Sequence, residues 1–394
     1  MAPTVVVSRR GADRLRRGHP WVYRTDVGDA DAAPGDLVRV TSEHDRGLGW
    51  AFWSSTSQIA LRLVSAEPGR TPPDERALYR QRLRSAAGYR ASLDIDASAY
   101  RLLHAEADRL PSTIVDRYAD VSGEYLVVQT LSQGADRRLP LLTETLVDEF
   151  APRGILARND PKVRRLEGLD QRVEVVHGEV PDRIAVREGA LTFDVDVRHG
   201  QKTGMFLDQR ENHQTAARYA RGRVLDAFAY NGGFALPMAA GADTVLALDS
   251  SSTAVAATLA NASANGITNI EIRERNVFDE LRELTTGGER FDLVVLDPPA
   301  FAKNRAAVDR AAAGYKEINL RAMQLLSPGG HLITCSCSYN VDEAMFLAIL
   351  EAAAADAQRA LAVVERRTQA RDHPVLLSMP ETQYLKCIVL RRLD

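Results

Sequence analysis

From about residue 191 onward, short apolar runs alternate with longer stretches of mixed polarity. The runs at 223–228, 244–249, 271–275, 291–296 and 331–336 read as strands, with helices between them. Strands that are apolar along nearly their whole length are buried on both faces. The alternation therefore predicts a parallel sheet with helices on each side. The tail departs from this pattern. After Leu361 to Arg366 comes a loop carrying Pro374 and Pro380, then a last strand from Tyr384 to Leu390. That arrangement predicts a hairpin closing the sheet.

Upstream the periodicity changes twice. Leu37 to Thr41, Gly47 to Phe52 and Ile59 to Val64 read as short strands, with turn chemistry at Pro34-Gly35 and Ser54 to Ser57 and a linker at Pro68 to Pro73. These features predict a small β-barrel. Between 73 and 190 the pattern is mixed. Glu75 to Leu93 and Leu139 to Phe150 read as helices; Ser112 to Val115, Tyr125 to Thr130, Ile155 to Arg158 and Arg172 to Val176 read as strands. The expected organisation is a multidomain α/β chain: a barrel over 1–72, an α+β middle domain over 73–190 and an α/β domain over 191–394. No internal repeat or low-complexity tract interrupts it.

Candidate chemistry gathers at the strand ends of the last domain, where open α/β sheets bind ligands. The run Val224-Leu225-Asp226-Ala227-Phe228-Ala229-Tyr230-Asn231-Gly232-Gly233-Phe234 joins a strand, an acid and a glycine-rich turn, and Asp249 followed by Ser250 ends the next strand. Backbone approaches a nucleotide closely at such a turn, and an acid ending the second strand suits a ribose diol. The glycines lack the regular spacing of dinucleotide enzymes, which favours S-adenosylmethionine over NAD. Asp226 and Asp249 could instead cap helices. Asn276 and Val277 end the third strand, with Asn276 either a turn residue or an adenine contact. Asp297-Pro298-Pro299-Ala300-Phe301 ends the fourth. Its prolines remove two backbone donors and leave carbonyls beside an acid, an acceptor surface for a planar base. The fifth ends in Cys335-Ser336-Cys337-Ser338. Strand alternation puts both cysteines on one side; Cys335 reads as a small hydrophobe and Cys337, at the exit, as a candidate nucleophile. A thiol with an ordinary pKa of ~8.5 is mostly protonated at neutral pH, so it needs a neighbour that lowers its pKa. Nothing in the sequence identifies that neighbour. Upstream, Asp208 with Glu211 reads as an acidic capping box, while Lys202, Phe206 and Arg210 could line the cofactor or phosphate path.

Composition narrows the classes. Of 394 residues, 45% are hydrophobic and 26% charged, with a net charge of −3, so no global basic field announces nucleic acid, although a local patch can. No apolar run approaches the roughly 20 residues of a membrane span. Met1 to Arg17 lacks the apolar core of a secretory signal. Three cysteines (Cys335, Cys337, Cys387) make no disulfide framework and no metal-ligand spacing, so a cytoplasmic protein without a metal is expected. The basic residues are mostly arginine. The five lysines are Lys162, Lys202, Lys303, Lys316 and Lys386. Where arginine is the default, a retained lysine can be chemically required, and Lys202 and Lys303 flank the motifs above.

Nearly end to end, these residues resemble the RlmI-type ribosomal RNA large-subunit methyltransferases. The resemblance includes Gly18-His19-Pro20-Trp21-Val22-Tyr23, Arg101 to Asp116 around His104-Ala105-Glu106-Ala107-Asp108, and Gln201 to Arg210. It continues through Phe228 to Phe234, Asp297 to Phe301, Ser336-Cys337-Ser338, Asp372-His373-Pro374 and Tyr384-Leu385-Lys386. It implies a PUA-type RNA-binding barrel, an α+β middle domain and a Rossmann-like class I methyltransferase domain with a mostly parallel seven-stranded sheet. It further implies S-adenosylmethionine as cofactor and carbon 5 of a 23S rRNA cytidine as target, with Cys337 adding to carbon 6 and Asp297 holding a proton near N3. Cofactor contacts are expected from Phe206, Arg210, Asp226, Phe228, Tyr230, Asn231, Gly232, Gly233, Asp249, Ser250, Asn276, Val277 and Asp297. Substrate contacts are expected from Lys202, Pro298, Pro299, Phe301 and Lys303. Some related enzymes carry a second cysteine where this chain has Ala300, so the base that releases the product is not identified. A homodimer is a further expectation. Rival readings are a base N-methyltransferase acting through Asp-Pro-Pro, which needs no thiol, and an RNA-binding assembly factor with a surviving cofactor pocket.

Overall fold

The computed structural model describes residues 2–302 and 305–394. Its chain forms two compact units, the first made of 1–187, 195–205 and 371–382, the second of 188–194, 206–370 and 383–394.

In the first unit, strands β1 (Thr4–Val7), β2 (Trp21–Tyr23), β3 (Leu37–Ser42), β4 (Gly47–Trp53) and β5 (Ile59–Ser65) form a sheet in the order β1-β3-β4-β5-β2. Val5, Val7, Val38, Val40, Ala51 and Leu61 alternate inward and fill it. The second sheet has the order β10-β9-β8-β7-β6, from β6 (Ala99–His104), β7 (Thr113–Asp120), β8 (Gly123–Thr130), β9 (Gly154–Asn159) and β10 (Arg172–Gly178). Helices Glu75–Ala91 and Leu139–Phe150 pack on it through Tyr79, Leu83, Leu142 and Leu146. The Arg101–Asp116 stretch is a buried charge network. Arg101 grips Asp116 with two hydrogen bonds of 2.6 and 3.0 Å, and Arg90 donates to Asp108 at 2.7 Å. Asp372 accepts from the Arg101 amide at 2.9 Å, fastening 371–382 to this network. Burial, with Arg101 and His373 close by, pushes the His104 pKa well below its ordinary value, so the ring stays neutral.

A two-stranded hairpin, β11 (Arg183–Glu188) and β12 (Leu191–Asp196), follows. The second unit is built on a seven-stranded sheet of β13 (Arg223–Ala227), β14 (Thr244–Asp249), β15 (Ile270–Glu274), β16 (Phe291–Leu296), β17 (Leu326–Ser336), β18 (Leu361–Arg367) and β19 (Lys386–Arg392), in the order β15-β14-β13-β16-β17-β19-β18. The first five are mutually parallel, and β19 runs antiparallel between β17 and β18. Leu225, Leu248, Val294, Leu296 and Leu332 are buried in its core with Ile318, Met323 and Phe346 from the covering helices. The strand order reverses at β13, which pairs with both β14 and β16. That is the switch point where the crossovers leave on opposite faces and open a crevice at the carboxyl ends. Among the described residues no helix is long and apolar enough to cross a membrane.

Candidate active site

The crevice is framed by the ends of β13, β14 and β16. Asp226 sits one residue before the end of β13 and is wholly buried. Ala227 pairs with Leu248 on one side and Leu296 on the other. One step further, Phe228 therefore stands between Asp249 and Asp297.

The turn is shaped for close approach. Phe228 and Tyr230 have φ of 70° and 49°, and Gly232 has φ of 87°, left-handed values that cost bulky residues energy. Tertiary hydrogen bonds hold them there. The Phe228 and Ala229 amides donate to the Leu248 carbonyl, each at 2.9 Å. The Tyr230 amide donates to Asp249 at 3.0 Å, Thr258 Oγ1 to the Tyr230 carbonyl at 2.7 Å and Asn261 to the Asn231 carbonyl at 3.0 Å. A Cβ at Gly232 would lie 2.1 Å from Leu236 Cδ1, and one at Gly233 would lie 2.7 Å from the His213 ring. His213 is held by Glu188 at 2.8 Å. Gly232→Ala is therefore expected to destabilise the protein by about 2 kcal/mol, read as a lower midpoint in urea.

Electrostatically the crevice is acidic. Neither Asp226 oxygen makes a well-formed hydrogen bond. Burial, with the charges of Asp297 and Asp249 behind it, pushes the Asp226 carboxyl up to about 8, and the nearby Ala235 amide offsets only part of this. Asp249 accepts from the Ser251 amide at 2.9 Å as well as from Tyr230. Asp297 accepts from Gln209 Nε2 at 2.9 Å, and Gln209 in turn accepts from Asn212 at 2.7 Å. A ligand with a sulfonium, an ammonium and a ribose diol suits such a trio of acids. The orphaned acceptors of Asp226 and the glycine turn above it fit S-adenosylmethionine.

The other expected residues divide. Phe206 meets Tyr230 edge-on at 5.1 Å, and Arg210 is buried at the start of the helix Arg210–Tyr219. Ser250 is exposed beside Asp249. Asn276 caps the helix Val277–Thr286, its side chain accepting from Phe278 at 3.0 Å, and the Val277 side chain lies in the core. Pro298 is buried and Pro299 exposed. The Phe301 ring packs at 4.7 Å from Tyr315 and 5.9 Å from Phe278, at the edge of the core. Lys202 belongs to the first unit, exposed with φ of 54°. Lys303 lies outside the described residues. Asp208 does not cap a helix: Gln209 holds the cap position, and Asp208 accepts the Tyr384 hydroxyl at 2.7 Å.

The cysteines separate cleanly. Cys335 and Cys387 face each other across β17 and β19 and are wholly buried, while Cys337 is half-buried just beyond β17. Mutual contact and burial push the Cys335 thiol well up, which makes it inert. The serines beside Cys337 are fixed: the Tyr315 hydroxyl meets Ser336 at 3.0 Å and Ser338 at 2.9 Å. Two further groups lie outside the expected site residues. Gln209, which holds Asp297, carries no sequence signal. Lys386 does, as one of five lysines in an arginine-rich chain. It is buried, donating to the carbonyls of Ser338 at 2.8 Å and Tyr384 at 3.0 Å.

A second concave feature lies on the first unit. It is a cleft of about 900 Å³ whose lining includes Arg9, Arg10, Arg14, Arg17, His19 and Tyr23. Arg14 stacks over Tyr23 at 4.6 Å and meets His19 at 2.9 Å. Its basic lining suits an anionic polymer, whereas the acidic crevice of the second unit suits the cofactor.

The family profile of S-adenosylmethionine-dependent methyltransferases matches residues 159–391, and that of PUA-like domains matches 5–66. A ribosomal RNA large subunit methyltransferase I from Aeromonas salmonicida is 39% identical over 397 residues, covering 98% of each chain, and one from Vibrio cholerae is equally similar. Among solved structures, a candidate SAM-dependent methyltransferase from Streptococcus mutans superposes with a TM-score of 0.83 at 19% identity, over 99% of this chain and 100% of its own. SMU.776, a methyltransferase candidate crystallised with SAH, superposes with a TM-score of 0.85 at 20% identity and the same coverage. These structures speak to the fold alone; the curated relatives and the profile speak to the family. The cofactor is S-adenosylmethionine, and the chain belongs to the ribosomal RNA large subunit methyltransferase I family of SAM-dependent methyltransferases.

Proposed function

We propose that this chain methylates carbon 5 of a cytidine in 23S ribosomal RNA, with Cys337 as nucleophile and Asp297 managing the proton at ring N3. The RNA substrate is carried over from the relatives' names. The finer reading rests on one sulfur: Cys337 is the half-buried cysteine, at the same strand-end rim as Asp226, Asp249 and Asp297, whereas Cys335 and Cys387 are sealed in the core.

Carbon 5 of cytosine is a poor nucleophile. Addition of the Cys337 thiolate to carbon 6 breaks the C5–C6 double bond and moves its electron pair into the ring, where Asp297 holds a proton at N3. Carbon 5 thereby gains enamine character. S-adenosylmethionine, when bound, supplies an electrophilic methyl group. Once carbon 5 is methylated, its proton leaves to a base and the C6–S bond breaks. The thiolate returns to Cys337 and the aromatic ring is restored. Phe206, Asp226, Tyr230 and Asp249 would hold the cofactor, and Gln209 steadies Asp297.

The target base must leave its stack to reach such a crevice, which favours a splayed, single-stranded cytidine. The arginines of the cleft on the first unit are suited to the phosphates of that RNA. Mapping methylated nucleotides in ribosomal RNA from cells with and without the gene tests the proposal. The expected result is the loss of 5-methylcytidine at a defined 23S position, restored by the purified protein on undermethylated RNA. Loss of an N-methylated guanine or adenine instead would overturn it in favour of a base N-methyltransferase using Asp297-Pro298-Pro299.

A further inference from the structure

A thiol poised for addition needs something that stabilises its anion. Lys386 is 5% exposed and makes no salt bridge among the described residues. Its two hydrogen bonds go to neutral carbonyls. A buried ammonium without a counter-ion is costly, so the fold holds a cation here that lacks an anion.

The surroundings supply one candidate. Lys386 opens β19 directly opposite Ser336, and its Nζ donates to the Ser338 carbonyl at 2.8 Å. It thus engages both residues that flank Cys337. The other titratable groups nearby are Tyr315, from the helix Val308–Leu325, and Asp342 and Glu343, at the start of the helix Glu343–Ala357. Tyr315 is occupied by the two serines. Asp342 and Glu343 are not buried, and Glu343 lies 3.4 Å from Arg366. Burial lowers the Lys386 ammonium to about 8, and Cys337 is the strongest of the charges that oppose this, ahead of Asp342 and Glu343.

We propose that Lys386 is the positioning residue that keeps Cys337 as a thiolate in the resting enzyme, the thiol proton passing to water and the ammonium gaining its missing counter-ion. The inference rests on the reading of Cys337 as nucleophile. It supplies what the sequence leaves open, the group that makes the thiol reactive at neutral pH. The two groups titrate as a pair.

The test is the pH profile of iodoacetamide alkylation at Cys337, read by mass spectrometry of the peptide without cofactor or RNA. In Lys386→Met the midpoint is expected to rise by about one pH unit, with alkylation near neutral pH slowed about tenfold. Lys386→Arg, which keeps the charge, is expected to retain a low midpoint. A Lys386→Met profile identical to the parent's overturns the proposal. If that variant fails to fold, Cys337→Ala provides the reciprocal measurement. The acetylation midpoint of Lys386 is expected to fall once its counter-ion is gone, and an unchanged midpoint overturns the proposal equally. The covalent route has a separate readout. A Cys337→Ala enzyme that still methylates RNA sinks that route, while the alkylation profiles independently report whether Lys386 governs the thiol.

Discussion

Cys337→Ala is expected to lower methyl transfer to RNA by about 10⁴-fold or more, because the alternative is direct attack by an unactivated ring carbon. Single-turnover transfer of a labelled methyl group measures it. Apart from Lys386, which loses its proposed counter-ion, the packing of the protein should register the change little. Cys337 is half-buried beyond the end of its strand and is absent from the core cluster that Leu332 and Ile388 help to form. Cofactor affinity should therefore match the parent's, while the thermal midpoint is expected to fall modestly, because Lys386 is left buried without its proposed counter-ion. The matched control is Cys335→Ala. That thiol is wholly buried against Cys387, so its truncation should cost stability through a small cavity and leave the chemical step intact. A Cys337→Ala enzyme with full turnover would remove the covalent route.

The second large effect concerns Asp226. Its folded-state pKa, about 8, stands far above the ordinary carboxylate value of 3.8. Below that ordinary value the carboxyl is protonated in both folded and unfolded chains, and its titration contributes nothing. As pH rises toward about 8, the unfolded chain releases the proton and the folded one retains it. Stability must fall across that window and level off above it. Asp226→Asn removes the titration. The ligand-free variant is expected to melt on the order of 5–10 °C above the parent at mildly alkaline pH, with the advantage vanishing near pH 4. Cofactor affinity should move the other way, since the neutral amide cannot serve as an anionic partner for a cationic ligand. Scanning calorimetry across pH, paired with titration of S-adenosylmethionine, reads both. A pH-independent difference in melting would contradict the assignment of the buried charge. Under the proposed cofactor role, this carboxyl destabilises the ligand-free protein in favour of the bound one.

Much of the sheet was legible because its strands are apolar along their length. The runs expected at 244–249 and 291–296 are β14 and β16 to the residue, and β13 and β15 are displaced by one at most. The fifth strand starts earlier than its apolar run. β17 begins at Leu326 and passes through Ser327-Pro328-Gly329-Gly330, which reads as a turn, because a register irregularity against β16 accommodates the proline and a glycine with φ of 71°. β6 escaped notice because Arg101 and His104 break its apolar pattern; the Arg101 charge is cancelled by Asp116, which no local window reveals. The hairpin β11–β12 is absent from the expected elements although Ile184, Val186, Phe193 and Val195 alternate inward, because its strands are short and charged on their outer face. In the candidate site, the acids and glycines were legible, since each ends a strand or opens a turn. Gln209 was not, and Lys386 showed only as one of five lysines, because their significance lies in partners brought from other strands and helices.

The insertion of β19 between β17 and β18 has a consequence for biosynthesis. Residues 386–392 are translated after every other strand of the sheet. Until they emerge, β17 has a bare edge and β18 has nothing to pair with. Lys386 is carried by that late segment. A ribosome-bound chain can therefore assemble its nucleotide crevice while its cysteine still lacks the cation proposed to arm it, and reactivity would arrive only with the final stitch.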